Sequence, residues 1–395
     1  MKRFLLPLLL TVSAAQAQPT AAAQNSPQSL QVTFKAELKK IEGGKAVTVP
    51  VVKQWVLPAQ WVARSREYGK ISSYLLPTLD RMEKETSVRG RPAKFDLVGG
   101  KWVATDQPEW KLDRKATEAK ILEAIRAGEK SVEVVYNEKV PQRSVALLIE
   151  RGVLTNLASA RSSFTGSPDF RVKNIVVGAS KLDYLWIAPG EVFDFNKTIG
   201  EISAKTGYVP GYVIAGNTLV MEDGGGICQV STTIFRAMWE AGLPIVERQQ
   251  HSHRVGYYDP IGYEATVYAP SKNLRMKNDT DKYLFVQASW NTATQKLRFD
   301  IFGTDHGRKT KVGAPVVTDI KPPAAPSYSP DKRVALGQQR LLDNAMEGMT
   351  SVITRTVTYP DGTSKQDSIR SVYKPWGAVY GVHPDDPRLK KSAGQ

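Results

Sequence analysis

Cysteine occurs once in this chain of 395 residues, at Cys228, and only Ile227 separates it from three glycines, Gly224-Gly225-Gly226. A glycine run permits a tight turn and lets another group come close to the backbone. Beyond it, apolar residues fall at 230, 234, 237, 238 and 241, one face of a helix. Arg236 and Glu240 form an i,i+4 pair on that helix, and Gly242 and Pro244 end it. Cys228 is therefore expected at, or just before, a helix N-terminus. Unpaired N–H groups and the positive end of the helix dipole favour a thiolate there. The N–H groups around Gly226, Ile227 and Gln229 are the expected donors to a developing oxyanion. Acyl transfer by such a thiol needs a histidine from elsewhere in the fold. An inert, buried cysteine fits the same pattern.

Histidine is scarce, with four in the chain, and two of them, His251 and His253, sit two positions apart. On a strand they share a face. The pattern predicts that strand to run on to Tyr258, turn at Asp259-Pro260-Ile261-Gly262, and return over 263–268. Either histidine could serve as the base. Glu264 would share their face in this hairpin, but ~13 Å along the strands, too far for a hydrogen bond. Asp259, Glu247, Asn217 and Asn278 are no better supported as third members. A rival constellation takes Cys228, His251 and His253 as zinc ligands. The spacing from 228 to 251 matches no short zinc motif, so neither a metal nor another cofactor is expected.

The elements that must position these residues read as α+β: two mixed α/β domains plus a small C-terminal β appendage. Residues 32–150 mix strands and helices. A strand is predicted over 45–56, a connection at 58–61, a helix over 71–84 and a hairpin from 95–98 and 101–104. A further helix is predicted over 114–127, capped by Asp113 and closed by Gly128. Residues 151–173 read as a connector rich in Ser, Thr, Gly and Pro. The most patterned region is 174–303. Residues 304–330, ending in KPPAAPSYSP, read as a Pro-rich, semi-rigid linker. In the tail, 331–395, strands are predicted over 350–359 and 364–373 around a Pro360-Asp361-Gly362 turn.

Composition bounds the setting. A 41% hydrophobic content supports ordinary cores, and one cysteine excludes a disulfide scaffold. Lys2 and Arg3, a short apolar run over 4–15, and Ala15-Gln16-Ala17 read as a signal peptide over 1–17, followed by a flexible leader over 18–31. Export to the periplasm, envelope or outside is thus expected. No later apolar run approaches the about 18–20 residues that span a bilayer, so no integral span is expected in the mature chain. The 54 Lys+Arg against 39 Asp+Glu give +15. Outside the membrane that charge would meet anionic wall polymer rather than nucleic acid, for which no motif is present. Nothing in the sequence bears on oligomeric state.

The run from Gly224 to Thr233, followed by Glu247-Arg248 and His251-Ser252, resembles the VanW-like family of bacterial envelope proteins. The likeness extends upstream through Arg171, Asn174-Ile175, Leu182-Asp183, Pro189-Gly190-Glu191, Phe193, Phe195-Asn196, Gly200 and Gly207-Tyr208. Downstream it takes in Tyr257, Gly262, Ala265-Thr266-Val267 and Lys277-Asn278. Residues 32–150 are more loosely similar to the peptidoglycan-binding domain that often precedes VanW-like domains, and the tail weakly resembles small β modules such as G5. The family takes its name from glycopeptide-resistance gene clusters. The resemblance selects Cys228 as nucleophile and His251 as base, with His253 at a variable position and Glu264 where the family usually has Asp. Arg248, Ser231 and His253 are its secondary site candidates. It implies an exported protein that acts on or binds peptidoglycan, as a Cys/His acyl-transfer or amide-hydrolysing enzyme on stem peptides, or as a non-catalytic wall-binding scaffold. A helix-borne cysteine followed by a histidine is also similar in plan to transglutaminase-like and papain-like thiol enzymes, by analogy only.

Overall fold

The computed structural model describes residues 28–215 and 218–389; the expected signal peptide and most of the leader lie outside them. The chain divides into two compact units. One gathers the chain up to Glu37 with Pro50–Gly90 and Pro108–Val140; the other holds Leu38–Val49, Arg91–Gln107 and everything from Pro141 on. Among the described residues, seven α-helices and several separate sheets make the fold α+β.

In the first unit the start of the strand Leu30–Glu42 pairs parallel with Ser131–Glu133, and Glu109–Leu112 pairs antiparallel with Tyr136–Lys139. The helix Arg114–Ala127 follows its local signals: Asp113 accepts from the Ala116 N–H at 2.9 Å, and Gly128 closes the helix at φ 73°. Two expectations differ. Pro58 opens a helix, Ala59–Tyr68, where a connection was expected, because its carbonyl accepts from the N–H groups of Trp61 and Val62. The helix expected over 71–84 begins later, at Leu76, after a 3-10 turn Ser73–Leu75. Val32, Phe34, Trp55, Leu57, Leu79, Met82, Trp110 and Ile121 are buried in this unit.

The second unit is built on an antiparallel sheet in the order Thr155–Ser163, Lys296–Gly303, Leu284–Asn291, Trp186–Ile187. The stretch 155–163, expected as connector, is thus a sheet strand, paired along its length with Lys296–Gly303. The helices Asp169–Leu182 and Ile227–Glu240 pack on this sheet and on each other. Their closest approach needs Gly178: a Cβ there would come within 2.3 Å of Ile227 Cδ1. Burial runs nearly all round Ile227–Glu240, from Ile227 to Trp239, as for a helix surrounded by protein.

The expected linker, 304–330, contributes three strands instead, Lys309–Val312, Val316–Lys321 and Ser327–Pro330. The first two pair with opposite ends of Gly348–Thr358 along one edge, and its other edge pairs with Ser364–Tyr373 in the hairpin that the tail sequence predicts. Ile353 and Ile369 of this hairpin belong to the same buried cluster as Ile234, Phe235 and Trp239. The Arg355 Nη1 donates to the carbonyls of Trp239 (2.8 Å) and Leu243 (2.9 Å). Among the described residues no helix is long and apolar enough to cross a membrane.

Candidate active site

The glycine turn is held from the helix Asp169–Leu182. Asn174 Nδ2 donates to the Val209 carbonyl (2.9 Å) and the Gly225 carbonyl (3.1 Å), while its Oδ1 accepts from the Val209 N–H (2.9 Å). Gly226 has φ 113°, and a Cβ on it would meet Arg171 Cγ at 2.9 Å. Both the left-handed backbone and the close neighbour require glycine. Cys228 is then the second residue of the helix Ile227–Glu240.

The turn spends part of its donor set on itself. The Ile227 N–H donates to the Gly224 carbonyl (2.9 Å) and the Gln229 N–H to the Gly226 carbonyl (3.0 Å). The expectation that Ile227 and Gln229 supply oxyanion donors is therefore corrected. Among the described residues, the Cys228 N–H between them and the Gly226 N–H have no such backbone acceptor. The buried Gln229 side chain instead ties the helix to the sheet, donating to Ser162 Oγ (3.0 Å) and the Ser163 carbonyl (2.8 Å).

The second corrected expectation is the histidine hairpin. Residues 250–268 carry only a short 3-10 turn, Gly256–Tyr258, and no strand. Polar side chains of the cysteine helix occupy the groups a ladder would use. Ser231 Oγ donates to the Ala265 carbonyl (2.6 Å), Thr232 Oγ1 accepts from the Ala265 N–H (3.1 Å), and Arg236 Nε donates to the Tyr263 carbonyl (2.6 Å). Released from strand register, Glu264 lies beside His251 rather than ~13 Å from it. Its Oε2 is 2.8 Å from His251 Nδ1, and its Oε1 accepts from the His251 N–H at 3.2 Å.

Glu264 and His251 thus form a hydrogen-bonded pair, and Cys228 is coupled to it electrostatically, the thiol and the imidazole each favouring the charged form of the other. With Nδ1 turned to Glu264, Nε2 is the nitrogen left for sulfur. Sγ also lies 3.5 Å from Thr266 Oγ1 and 3.5 Å from the Val267 carbonyl. Cys228 is half-buried, His251 8% exposed and Glu264 2% exposed. The Tyr258 ring stacks on the imidazole with centroids 4.8 Å apart.

The charges follow from this packing. Burial pushes the Cys228 thiol up, but the hydrogen bond and charge of His251, with Val267 and Thr266, outweigh it and leave it below its ordinary value. Burial pulls His251 down; the Glu264 charge and the bonds to Cys228 and Glu264 override this and push it up to about 10. Burial raises Glu264, and His251 and Tyr373 more than offset that, holding the carboxyl below the usual range. Each shift favours the charged form of its group: thiolate, imidazolium and carboxylate. Protons in such a group belong to the coupled set rather than to one residue.

The remaining candidates support this site from outside. Arg248 donates to the carbonyls of Glu264 (2.6 Å) and Gly262 (2.8 Å) and to Ser371 Oγ (2.9 Å), so it braces backbone and not the carboxylate. Ser231 staples Ala265 to the helix. His253 is corrected as an alternative base: it bonds Ser252 Oγ (2.9 Å), packs on Trp376 with centroids 4.3 Å apart, and is held down to about 4 by burial and Lys374. This also separates it from the zinc constellation; among the described residues no three His, Cys, Asp or Glu side chains gather as a metal site. Asn278 ties loop carbonyls, Asp259 pairs with Arg254, and Glu247 ends the strand Ile245–Glu247. Asn217 lies outside the described residues. Sequence reasoning missed Tyr258 and Tyr373. A hydrophobic pattern carries no mark for either: the irregular loop through Gly256–Tyr258 folds Tyr258 back onto His251, and Tyr373 arrives by long-range packing.

A fold in which a cysteine opens a buried helix and meets a His–Glu pair from a facing loop defines the class of the site. The model of the family described as "VanW like protein" matches residues 170–302, and this region is a VanW-like domain. The chain is similar to the uncharacterized protein YoaR of Bacillus subtilis, 31% identical over 155 residues, which cover 38% of this chain and 51% of that protein. It is also similar to the vancomycin B-type resistance protein VanW of Enterococcus faecalis, 31% identical over 116 residues, 28% of this chain and 42% of that one. The match thus spans about half or less of each relative's length. A crystal structure of HP0197-G5 is 18% identical and covers 19% of this chain and 96% of that one; its TM-score of 0.10 carries no argument.

Proposed function

We propose that this is an exported cell-envelope protein whose VanW-like domain is a cysteine-dependent acyl-transfer or amide-hydrolysing enzyme acting on peptidoglycan stem peptides. The observation that carries the reading is the His251–Glu264 pair at 2.8 Å, with Cys228 half-buried at a helix start and coupled to the imidazole. In this reaction the Cys228 thiolate attacks an amide carbonyl carbon, forming the C–S bond while the carbonyl oxygen takes the negative charge. The N–H of Cys228, without a backbone acceptor among the described residues, receives that oxyanion in this reading. Collapse breaks the C–N bond, and the His251 imidazolium gives its proton to the leaving amine. An amine or water then attacks the thioester and loses its proton to His251, and the C–S bond breaks. Glu264 holds the ring orientation throughout and stabilises the imidazolium whenever His251 carries the proton. The resistance name of one relative supports an envelope substrate.

A non-catalytic wall-binding scaffold is the second reading, favoured by the net charge of +15 and by the packing of Cys228 against the buried cluster. Thiol alkylation of the native protein against pH separates the two. The enzyme reading expects labelling well below the free-thiol value of about 8.5 and expects Cys228→Ala to abolish a cell-wall phenotype. A thiol that labels only after unfolding, or a Cys228→Ala variant with full activity, supports the scaffold.

A further inference from the structure

The strand Ser364–Tyr373 alternates strictly at its end: Ile369, Ser371 and Tyr373 are buried, while Arg370 and Val372 face out. The buried row lies against the two segments that supply His251 and Glu264. Ser371 Oγ donates to the Gly262 carbonyl (3.2 Å), and on the neighbouring strand Ser351 Oγ donates to the Ile261 carbonyl (3.1 Å). The approach is close enough that a Cβ on Gly262 would lie 2.5 Å from Ser351 Oγ. Just past the strand, the Lys374 N–H donates to the Ser252 carbonyl (2.8 Å). The segments on either side of the imidazole–carboxylate pair are thus clasped by residues well beyond 302.

Within this clasp one contact reaches the site itself. The Tyr373 hydroxyl donates to Glu264 Oε1 at 2.7 Å, on the carboxylate oxygen opposite the one that meets His251 Nδ1. A carboxylate 2% exposed has little access to water and needs donors on both oxygens. We infer that Tyr373 is a positioning residue of the thiol site: it fixes the Glu264 carboxylate towards His251, so the thiol site of the VanW-like domain is completed by the β hairpin that follows it. This rests on the thiol-enzyme reading above. The charged and titratable groups around the pair are Cys228, Tyr258 with Arg171 behind it, Arg236, Arg248 and Tyr373. Of these, Tyr373 is the side chain that bonds the carboxylate oxygen left by the ring. Burial and the neighbouring Glu264 push its phenol above its ordinary value, so it remains a donor across the working range.

The test is the rate of Cys228 alkylation by iodoacetamide on the full chain, from pH 4 to 9, for wild type, Tyr373→Phe, Glu264→Gln and the double variant. Loss of the phenol hydroxyl raises the carboxyl pKa, discharges Glu264 earlier on acidification, and moves the acid limb of the profile up. A fall of about 3- to 10-fold in rate at pH 6 is expected, a fraction of what one hydrogen bond to a charged group supports. In the Glu264→Gln background the same change should matter by less than about 1.5-fold, because the effect runs through the carboxylate. Ser351→Ala, which loosens the clasp without touching Glu264, should lower the urea midpoint and leave the limb in place. If wild type has no depressed limb, the thiol-enzyme reading fails and takes this inference with it. If wild type has one and Tyr373→Phe superimposes on it, or acts equally without Glu264, the positioning role alone is overturned. Should Tyr373→Phe not fold, Glu264→Asp reads the same link: an arm one methylene shorter cannot span both partners, and an unmoved limb overturns the inference.

Discussion

Glu264→Gln is the perturbation that asks most of the site, because it keeps volume while it removes the charge and turns one acceptor oxygen into a donor. Glu264 Oε2 stands 2.8 Å from His251 Nδ1, with both side chains nearly out of solvent. Two unit charges about 4 Å apart interact by roughly 4 kcal/mol at an effective dielectric of about 20. Desolvation offsets part of this, and hydrogen bonds to charged groups contribute about 1.5–3 kcal/mol net. That range corresponds to about 1–2 pKa units on the imidazolium. The Cys228 thiolate is held down chiefly by the bond and charge of His251, so most of the loss passes to sulfur. Alkylation of the folded variant at pH 7 should fall about 10- to 100-fold, with the acid limb displaced upward. The assay is second-order iodoacetamide labelling across pH, with circular dichroism to confirm folding. A profile within about twofold of wild type would refute the coupling of carboxylate to thiol. The variant should also change stability against pH. His251 is raised to about 10 in the fold, so its contribution is full below its unfolded value of about 6.5 and is lost as pH climbs through about 10. Glu264 is lowered, so its contribution is present above about 4.3 and is lost as pH falls below that. Glu264→Gln should flatten both flanks of a urea-midpoint curve.

Gly226→Ala puts a Cβ 2.9 Å from Arg171 Cγ on a backbone at φ 113°; a loss of about 1–3 kcal/mol in urea unfolding is expected, together with slower Cys228 alkylation as the turn shifts. His253 is held near 4, below its unfolded value of about 6.5. The unfolded chain therefore binds the extra proton between those values, and His253 weakens the fold as pH drops through that window. His253→Gln should remove this acid sensitivity in thermal melts and leave Cys228 alkylation within about twofold; a large loss of alkylation would return His253 to the site.

Much of the local structure was legible because its causes are local. The Asp113 cap and Gly128 stop, the apolar face from Val230 to Ala241, and the Gly224-Gly225-Gly226 turn before Cys228 all act over a few residues. The placing of the sulfur at a helix start follows from them. The choice between His251 and His253 came from resemblance rather than spacing, and the structure separates them by their partners: Glu264 for one, Ser252 and Trp376 for the other.

The place of Glu264 is not legible from alternation. The pattern near His251 resembles a strand, but the backbone groups of 258–265 are taken by Ser231, Thr232 and Arg236, polar residues on a helix that an amphipathic pattern would place in solvent. Burial of that helix on nearly every side turns those side chains into hydrogen-bond partners for a loop. Tyr373 shows the limit more sharply. It stands 109 residues beyond Glu264 and reaches it through a hairpin whose own sequence signals only a turn and two strands. Short-range propensities reveal where the cysteine sits on its helix. The partners of a buried carboxylate depend on which distant surfaces pack together to exclude water, and that pairing is settled only when the whole unit folds.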